Sequence, residues 1–285
     1  MTPTAASVGR LVVCPTPIGN LEDVTLRVLA TLGRADVVAC EDTRHTRVLL
    51  DRHGIGAAGL VSLHEHNERA RAGELLERIR AGALVALVSD AGMPLVSDPG
   101  YVVVRECIAA GLPLEVLPGP SATLTALVAS GLPAERWRFV GFLPRAGGEL
   151  RELLGGAGET LVAFESPRRL AGTLELLADL DAERPAAVCR ELTKLHEEVR
   201  RGTAAQLAAH YRGAPARGEV VVVVGAARAR AADARATGEA VAAVDELVRA
   251  GAKPRAAAGA VARLTGLRAN ELYRALTGGG AGGGT

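Results

Sequence analysis

Short apolar runs, each closed by Gly, Pro, Ser or Asp, alternate through the first half of the chain with longer stretches whose apolar residues recur at helical spacing. The runs near 11–14, 36–40, 60–63, 83–88 and 114–117 predict buried strands. The stretches 24–33, 43–53, 67–81, 98–111 and 121–130 predict the helices between them. Such alternation argues for a mostly parallel sheet covered by helices, an α/β fold. After a linker at 131–136, a second set begins at 138–142. Strands near 160–165, 186–190 and 219–224, with helices near 168–180 and 203–211, predict a second α/β domain.

Beyond residue 225 the pattern changes. Residues 226–237 are rich in Ala and Arg without periodicity, so a linker is expected there. An amphipathic stretch over 238–250 and a helix-turn-helix pattern over 254–276 predict a small helical unit spanning 238–277. The glycine tail 278–285 is expected to be disordered. The expected organisation is thus two α/β domains, 1–131 and 132–225, then the linker, the helical unit and the tail.

Three strands of the first half empty into loops stiff with proline and glycine: Pro15-Thr16-Pro17-Ile18-Gly19-Asn20, Ser89-Asp90-Ala91-Gly92-Met93-Pro94-Leu95-Val96-Ser97-Asp98-Pro99-Gly100, and Pro118-Gly119-Pro120-Ser121-Ala122. Any one such loop reads most simply as a strand-to-helix connection. Three in one half suggest a shared cleft, because open α/β sheets bind ligands outside the carboxyl ends of their strands. Asp23 or Thr25, Ser97 or Asp98, and Ser121 are the expected N-caps of the helices that follow.

Composition narrows the class. Aromatics are only 2% of the chain, so the core must be filled by Ala, Val and Leu. Cys14, Cys40, Cys107 and Cys189 are widely separated, sit in or beside apolar stretches and form no C-x-x-C pair, which points to a reducing compartment and no metal site. No run approaches the roughly 20 apolar residues of a membrane helix, and the N-terminus lacks a signal-peptide core, so a cytoplasmic protein with no membrane partner is expected. The net charge of +1 conceals an asymmetry: residues 226–285 carry nine Lys/Arg against five Asp/Glu, leaving −3 for residues 1–225. Solvated arginines on a small helical unit explain such a count most simply, with RNA docking as the functional alternative.

Seven ordered motifs between about residues 10 and 225 carry a resemblance. They are Pro15-Thr16-Pro17-Ile18-Gly19-Asn20 and the residues after it, Glu41-Asp42-Thr43-Arg44-His45-Thr46, Leu63-His64-Glu65-His66-Asn67-Glu68, the 89–100 loop with Leu117-Pro118-Gly119-Pro120-Ser121-Ala122, Gly141-Phe142-Leu143-Pro144-Arg145, Phe164-Glu165-Ser166-Pro167-Arg168-Arg169-Leu170, and Cys189-Arg190-Glu191-Leu192-Thr193-Lys194. With these the chain resembles the ribosomal RNA small subunit methyltransferase I family, within the tetrapyrrole-methylase-like enzymes that use S-adenosyl-L-methionine. The resemblance implies two α/β domains with the cofactor in the cleft between them and a helix-turn-helix-like C-terminal extension. It further implies methylation of a cytidine ribose 2′-hydroxyl in the decoding region of 16S rRNA, within the small ribosomal subunit, by a homodimer. From the same correspondence the cofactor is expected on Ala91, Gly92, Met93, Pro94 and Val96, on Ser121 and Ala122, and on Phe164, Glu165 and Leu192.

A hydroxyl is a poor nucleophile near neutral pH, so the reaction needs in-line positioning and a proton acceptor. Candidate catalytic residues are Asp42, Glu191 and Lys194. Asp42 alternatively caps the following helix, and Lys194 either loses its proton in a closed site or holds a phosphate beside the target ribose. Substrate contact is expected from Pro17, Gly19, Asn20, Arg44, His64, His66 and Arg145. His64 and His66 could ligate a metal only with a third ligand, and no supporting cluster is evident in the sequence.

Departures from the tetrapyrrole enzymes bear on the substrate. Their glycine-rich first loop, G-x-G-P-G-D, is here Pro15-Thr16-Pro17-Ile18-Gly19-Asn20, and their G-D-P is Gly92-Met93-Pro94. Ala163-Phe164 stands where two aromatics are expected. A tetrapyrrole methylase and a catalytically silent ribosome assembly factor are the competing readings.

Overall fold

The structure, a computed structural model, describes residues 9–56, 59–227 and 231–278. The first sheet consists of β1 (Arg10–Val13), β2 (Val37–Cys40), β3 (Gly59–Ser62), β4 (Leu84–Leu87) and β5 (Leu114–Val116), in the order β3-β2-β4-β1-β5, all parallel. Between them run α1 (Leu26–Leu32), α2 (Thr43–Arg52), α3 (Glu68–Arg80) and α4 (Tyr101–Ala109), and α5 (Ala122–Ser130) follows β5. Every residue of β2 is buried, as a run covered on both faces requires. Two side-chain clusters, one under α3 and α4 and the other under α1 and α2, form the two faces.

Helix starts follow local chemistry. Thr25 Oγ1 accepts from Val28 N, Asp42 accepts from Arg44 N, and Ser121 Oγ accepts from Leu124 N. For α4 the expectation of Ser97 or Asp98 is corrected. Gly100 stands at the cap without a side-chain bond, and the buried Glu68 of α3 reaches across to accept from Gly100 N (2.9 Å) and Val102 N (2.7 Å). An acid at a helix N-terminus satisfies orphan donors and complements the macrodipole, wherever in the sequence it comes from.

The second sheet is mixed. Strands β6 (Trp137–Phe142), β7 (Thr160–Glu165), β8 (Pro185–Arg190), β9 (Glu198–Thr203) and β10 (Val220–Val224) lie in the order β6-β7-β10-β8-β9, with only β6 and β7 parallel. Helices α6 (Gly147–Gly156), α7 (Leu170–Leu180) and α8 (Ala204–Gly213) accompany it. Two elements were not expected from sequence. The edge strand β9 reads Glu-Val-Arg-Arg-Gly-Thr, too polar for a buried run, and α6 is opened and closed by pairs of glycines.

No separate seam divides the two sheets. Helix α5 of the first half packs on the second sheet, where Ala126 and Leu127 join Val162, Ala187, Cys189, Val221 and Val223 in one buried cluster, together with Ile18 and Leu192. Residues 1–226 accordingly form one compact unit, and 227–285 form another.

In that second unit α9 (Ala231–Arg249), α10 (Pro254–Thr265) and α11 (Ala269–Gly278) close on a small core of Ala240, Val244, Ala257, Ala258, Val261 and Leu272. Helix α9 begins at Ala231, inside the expected linker, because its alanines favour helix without needing an apolar stripe. The expected disordered tail lies outside the described residues except for Gly278, which ends α11. Among the described residues no helix is long and apolar enough to cross a membrane.

Because Glu68 alone caps α4 by side chain, Glu68→Ala is expected to cost about 1–2 kcal/mol and to raise amide exchange at Gly100 and Val102 specifically. Denaturant unfolding together with residue-resolved hydrogen exchange measures both effects.

Candidate active site

The loops after β1 and β4 are tied together before any ligand arrives. Thr16 and Gly92 exchange both backbone hydrogen bonds, each 2.9 Å, as an isolated antiparallel bridge, and Thr16 Oγ1 donates to Ser89 O at 2.9 Å. Gly92 adopts φ +79°, where a side chain would be strained. The four non-glycine residues with positive φ among those described are Leu95, Ser97, Glu191 and Thr193, all in two loops. Each costs about 1–3 kcal/mol, and such conformations cluster at functional sites.

Those two loops border a cavity of about 420 Å³, within the roughly 300–1,000 Å³ range of small-molecule sites. Its first wall includes Ala91, Gly92, Met93, Val96, Ser97 and Asp98, with Ser121 and Ala122 at the start of α5. The opposite wall comes from the second sheet: Phe142, Phe164, Glu165, Cys189, Leu192 and the 218–221 segment. Nine of the ten residues expected to hold the cofactor therefore line one cavity. Pro94 does not: it is buried and absent from the wall. Ser121 caps α5 and lines the cavity at once. The Glu165 carboxylate is enclosed, accepting from Thr173 Oγ1 (2.6 Å) and Ser166 N (2.7 Å) with Arg169 at 3.4 Å. Phe142 is 63% exposed although it packs edge-on against Phe164, as an aromatic awaiting a ligand does.

The expected catalytic residues fall into two groups with their own partners, and none of the three lines the cavity. Asp42 caps α2 and binds the exposed Arg44 guanidinium, which holds its carboxyl well below the usual range. Its backbone N–H donates to Asp90, whose other oxygen pairs with His45 Nδ1 at 3.1 Å. Glu191 accepts from Glu219 N (2.9 Å) and from Lys194 Nζ (3.0 Å), and these bonds lower its pKa against the cost of burial. Lys194 also donates to Glu219 at 2.8 Å. Burial alone would depress the ammonium, but the bonds to Glu219 and Glu191 outweigh it and raise its pKa. The two carboxylates thus favour the charged form of Lys194, against the reading of it as a neutral base.

Of the expected substrate contacts, Pro17 is buried and Asn20 caps a 3-10 turn by accepting from Glu22 N, while its own N–H donates to Thr193 Oγ1. Gly19 lets the first loop meet the second half: a Cβ there would lie 2.5 Å from Lys194 Cγ and 2.9 Å from Leu192 O. Arg44, His64, His66 and Arg145 are exposed. Among the described residues no group of three His, Cys, Asp or Glu side chains is placed to hold a metal.

Two cavity groups escaped sequence reasoning. Asp98 is half-buried in the wall, and burial, followed by the charge of Glu41, pushes its carboxyl up to about 6. Cys189 is buried, which pushes its thiol up to about 11. The apolar walls suit an adenine ring and a methionine chain, and the carboxylate of Asp98 suits a cationic sulfonium or ammonium, so these residues fit S-adenosylmethionine.

A parallel sheet and a mixed sheet sharing such a cleft define a methyltransferase of the tetrapyrrole methylase class, and residues 10–208 match the family model described as Tetrapyrrole (Corrin/Porphyrin) Methylases. A uroporphyrin-III-C-methyltransferase from Thermus thermophilus superposes with TM-score 0.53 at 27% identity, covering 76% of this chain and 94% of that one. A uroporphyrin-III C-methyl transferase from Thermus thermophilus complexed with S-adenyl homocysteine is 24% identical with TM-score 0.55, covering 76% of this chain and 97% of that one. Relatives in sequence are narrower in kind. The ribosomal RNA small subunit methyltransferase I of Mesorhizobium japonicum is 49% identical over 92% of this chain and 89% of its own length, and that of Mycobacterium tuberculosis H37Rv is 47% identical over 95% of both. The chain belongs to the ribosomal RNA small subunit methyltransferase I family, enzymes that use S-adenosylmethionine.

Phe142 gives a test of the cavity that spares the fold. Because it is exposed, Phe142→Ala is expected to leave Tm nearly unchanged while weakening S-adenosylhomocysteine binding about tenfold. Calorimetry showing equal affinity would place the cofactor elsewhere.

Proposed function

We propose that this protein transfers the methyl group of S-adenosylmethionine to the ribose 2′-hydroxyl of a cytidine in the decoding region of 16S rRNA. The observation that carries this reading is identity of 41–49% to curated small-subunit rRNA methyltransferases over most of the chain. Within the cleft, Ala91, Gly92, Met93, Val96, Ser121, Ala122, Phe164 and Leu192 hold the cofactor. Arg44, His64, His66 and Arg145, all exposed, contact RNA, and Lys194 holds a phosphate next to the target ribose. The small ribosomal subunit is the partner, with the basic helical unit 238–277 as the docking element, and the enzyme works in the cytoplasm as a homodimer. Exposed Leu124 and Val128 on α5 and Val116 on the edge strand β5 support that dimer.

Transfer of label from S-adenosylmethionine to unmethylated small subunits is the direct test. The expected product is a nucleotide whose 3′ linkage resists alkali, because a 2′-O-methyl group removes the attacking hydroxyl. Label entering a tetrapyrrole and no RNA would overturn the reading. Truncation after Ala226, the boundary between the two compact units, is expected to weaken subunit binding and reduce its salt dependence while leaving S-adenosylhomocysteine affinity intact. Filter binding across a salt series measures the first effect and calorimetry the second.

A further inference from the structure

A second cavity, of about 310 Å³, opens beside the one that fits the cofactor. The two share the buried Ile18, and the loop after β5 divides them: Ser121 and Ala122 line the first, Gly119 and Pro120 the second. Asp23, Thr25 and Thr125 complete the second cavity from the first half of the chain, and Thr193 from the other half. Whatever fills it is a direct neighbour of the methyl donor.

Its polar groups are held in place and left open. Thr25 Oγ1 accepts from Val28 N at 3.2 Å and Thr193 Oγ1 accepts from Asn20 N at 3.0 Å, so each hydroxyl keeps its proton to donate. Asp23 is anchored by its backbone, whose N–H donates to Asn20 O at 3.0 Å. Its carboxylate and the Thr125 hydroxyl have no hydrogen-bond or ionic partner among the described residues. The cations on the adjoining elements are engaged, Arg27 with Glu115, Arg52 with Glu22, and Lys194 with Glu191 and Glu219. An acid with no cation beside it repels phosphate. The cavity therefore selects a neutral group that offers donors to a carboxylate and acceptors to hydroxyls, with apolar surface against Ile18 and Pro120.

We propose that this cavity holds the base of the target nucleotide and that Asp23 reads it as cytosine. This rests on the proposed reaction at a cytidine ribose. The ribose must reach the methyl donor in the first cavity, and its base, attached directly to that sugar, enters the cavity next door. Cytosine presents an N4 amino donor beside the N3 and O2 acceptors, and an aspartate is a natural acceptor for N4. The Asp23 carboxylate takes the amino group, and the hydroxyls of Thr25, Thr125 and Thr193 serve N3 and O2. Uracil carries O4 in place of the amino group, so two acceptors would meet with no proton between them, and a site whose polar groups are left unpaired rejects its ligand strongly.

The test measures kcat/KM for methylation of small subunits carrying cytidine or uridine at the methylated position, with wild type, Asp23→Asn and Thr125→Val, alongside calorimetry with S-adenosylhomocysteine. Wild type is expected to prefer cytidine by about a hundredfold. An amide at position 23 can donate to uracil O4, so Asp23→Asn should lose about tenfold or more on cytidine, gain on uridine, and close the ratio to about fivefold or less. Thr125→Val should lower cytidine kcat/KM about threefold or more. Because Asp23 is exposed and its side chain bonds nothing, Tm and S-adenosylhomocysteine affinity should stay as in wild type. An unchanged cytidine-to-uridine ratio in Asp23→Asn would overturn the proposal, and so would equal losses on both bases or a wild type indifferent to the base. A wild-type enzyme that methylates no RNA would overturn the substrate reading itself, and it is recognised without any variant.

Discussion

The packing of one helix on the wrong sheet, in sequence terms, fixes this molecule. Helix α5 closes the first α/β half, yet its buried side, Ala126 and Leu127, is sealed by valines of the second sheet. Burial of this kind contributes about 25 cal/mol per Å² removed from water, so separating the halves would expose the core of both. The cleft therefore has walls of fixed spacing. Two further ties act at its mouth: the close approach of Gly19 to Leu192 and Lys194, and the bond from Asn20 N to Thr193 Oγ1. A ligand entering such a cleft meets preformed surfaces, with little ordering cost left.

Rigidity is bought locally with strain. Leu95, Ser97, Glu191 and Thr193 hold left-handed backbone that their side chains disfavour, and compensation is visible beside each pair. Thr16 braces the first loop through Gly92 and Ser89, and the Glu191–Lys194–Glu219 network braces the second. Gly218 is part of that brace, because a Cβ there would lie 2.3 Å from the Glu191 carboxyl carbon. Glu191 and Lys194, which sequence alone marks as catalytic candidates, are thus also bonded into the brace of a loop.

Much of the fold was legible, for a definite reason. Strands such as Val37–Cys40 and Val220–Val224 are continuous apolar runs because helices cover both faces, and a run of that kind announces itself. Strand β9 did not, since an edge strand answers to solvent, and its Arg200 and Arg201 carry no burial signal. The wall of the cavity was legible through the ordered motifs, since nine of the ten residues they single out line it and Pro94 does not. Chemistry inside it was harder. Asp98 precedes a helix and so looks like a cap; only the arrival of Glu68, thirty residues upstream, shows that the cap is already supplied. Lys194 looked able to shed its proton because it is one of two lysines, but pairing is a property of space and not of composition.

Cys189 is a buried thiol in the cavity wall. A sulfonium methyl donor is an alkylating agent, and a thiolate is a far better nucleophile than any ribose hydroxyl, so a cysteine in the wall of a cavity that fits such a donor would be exposed to alkylation if it were ionised. Burial pushes its pKa up to about 11, so the thiol stays protonated near neutral pH. Its Sγ–H is directed at the Ala126 carbonyl, 3.8 Å away on α5. The same helix packing that sets the width of the cleft therefore keeps the thiol in its wall in the protonated, poorly nucleophilic form.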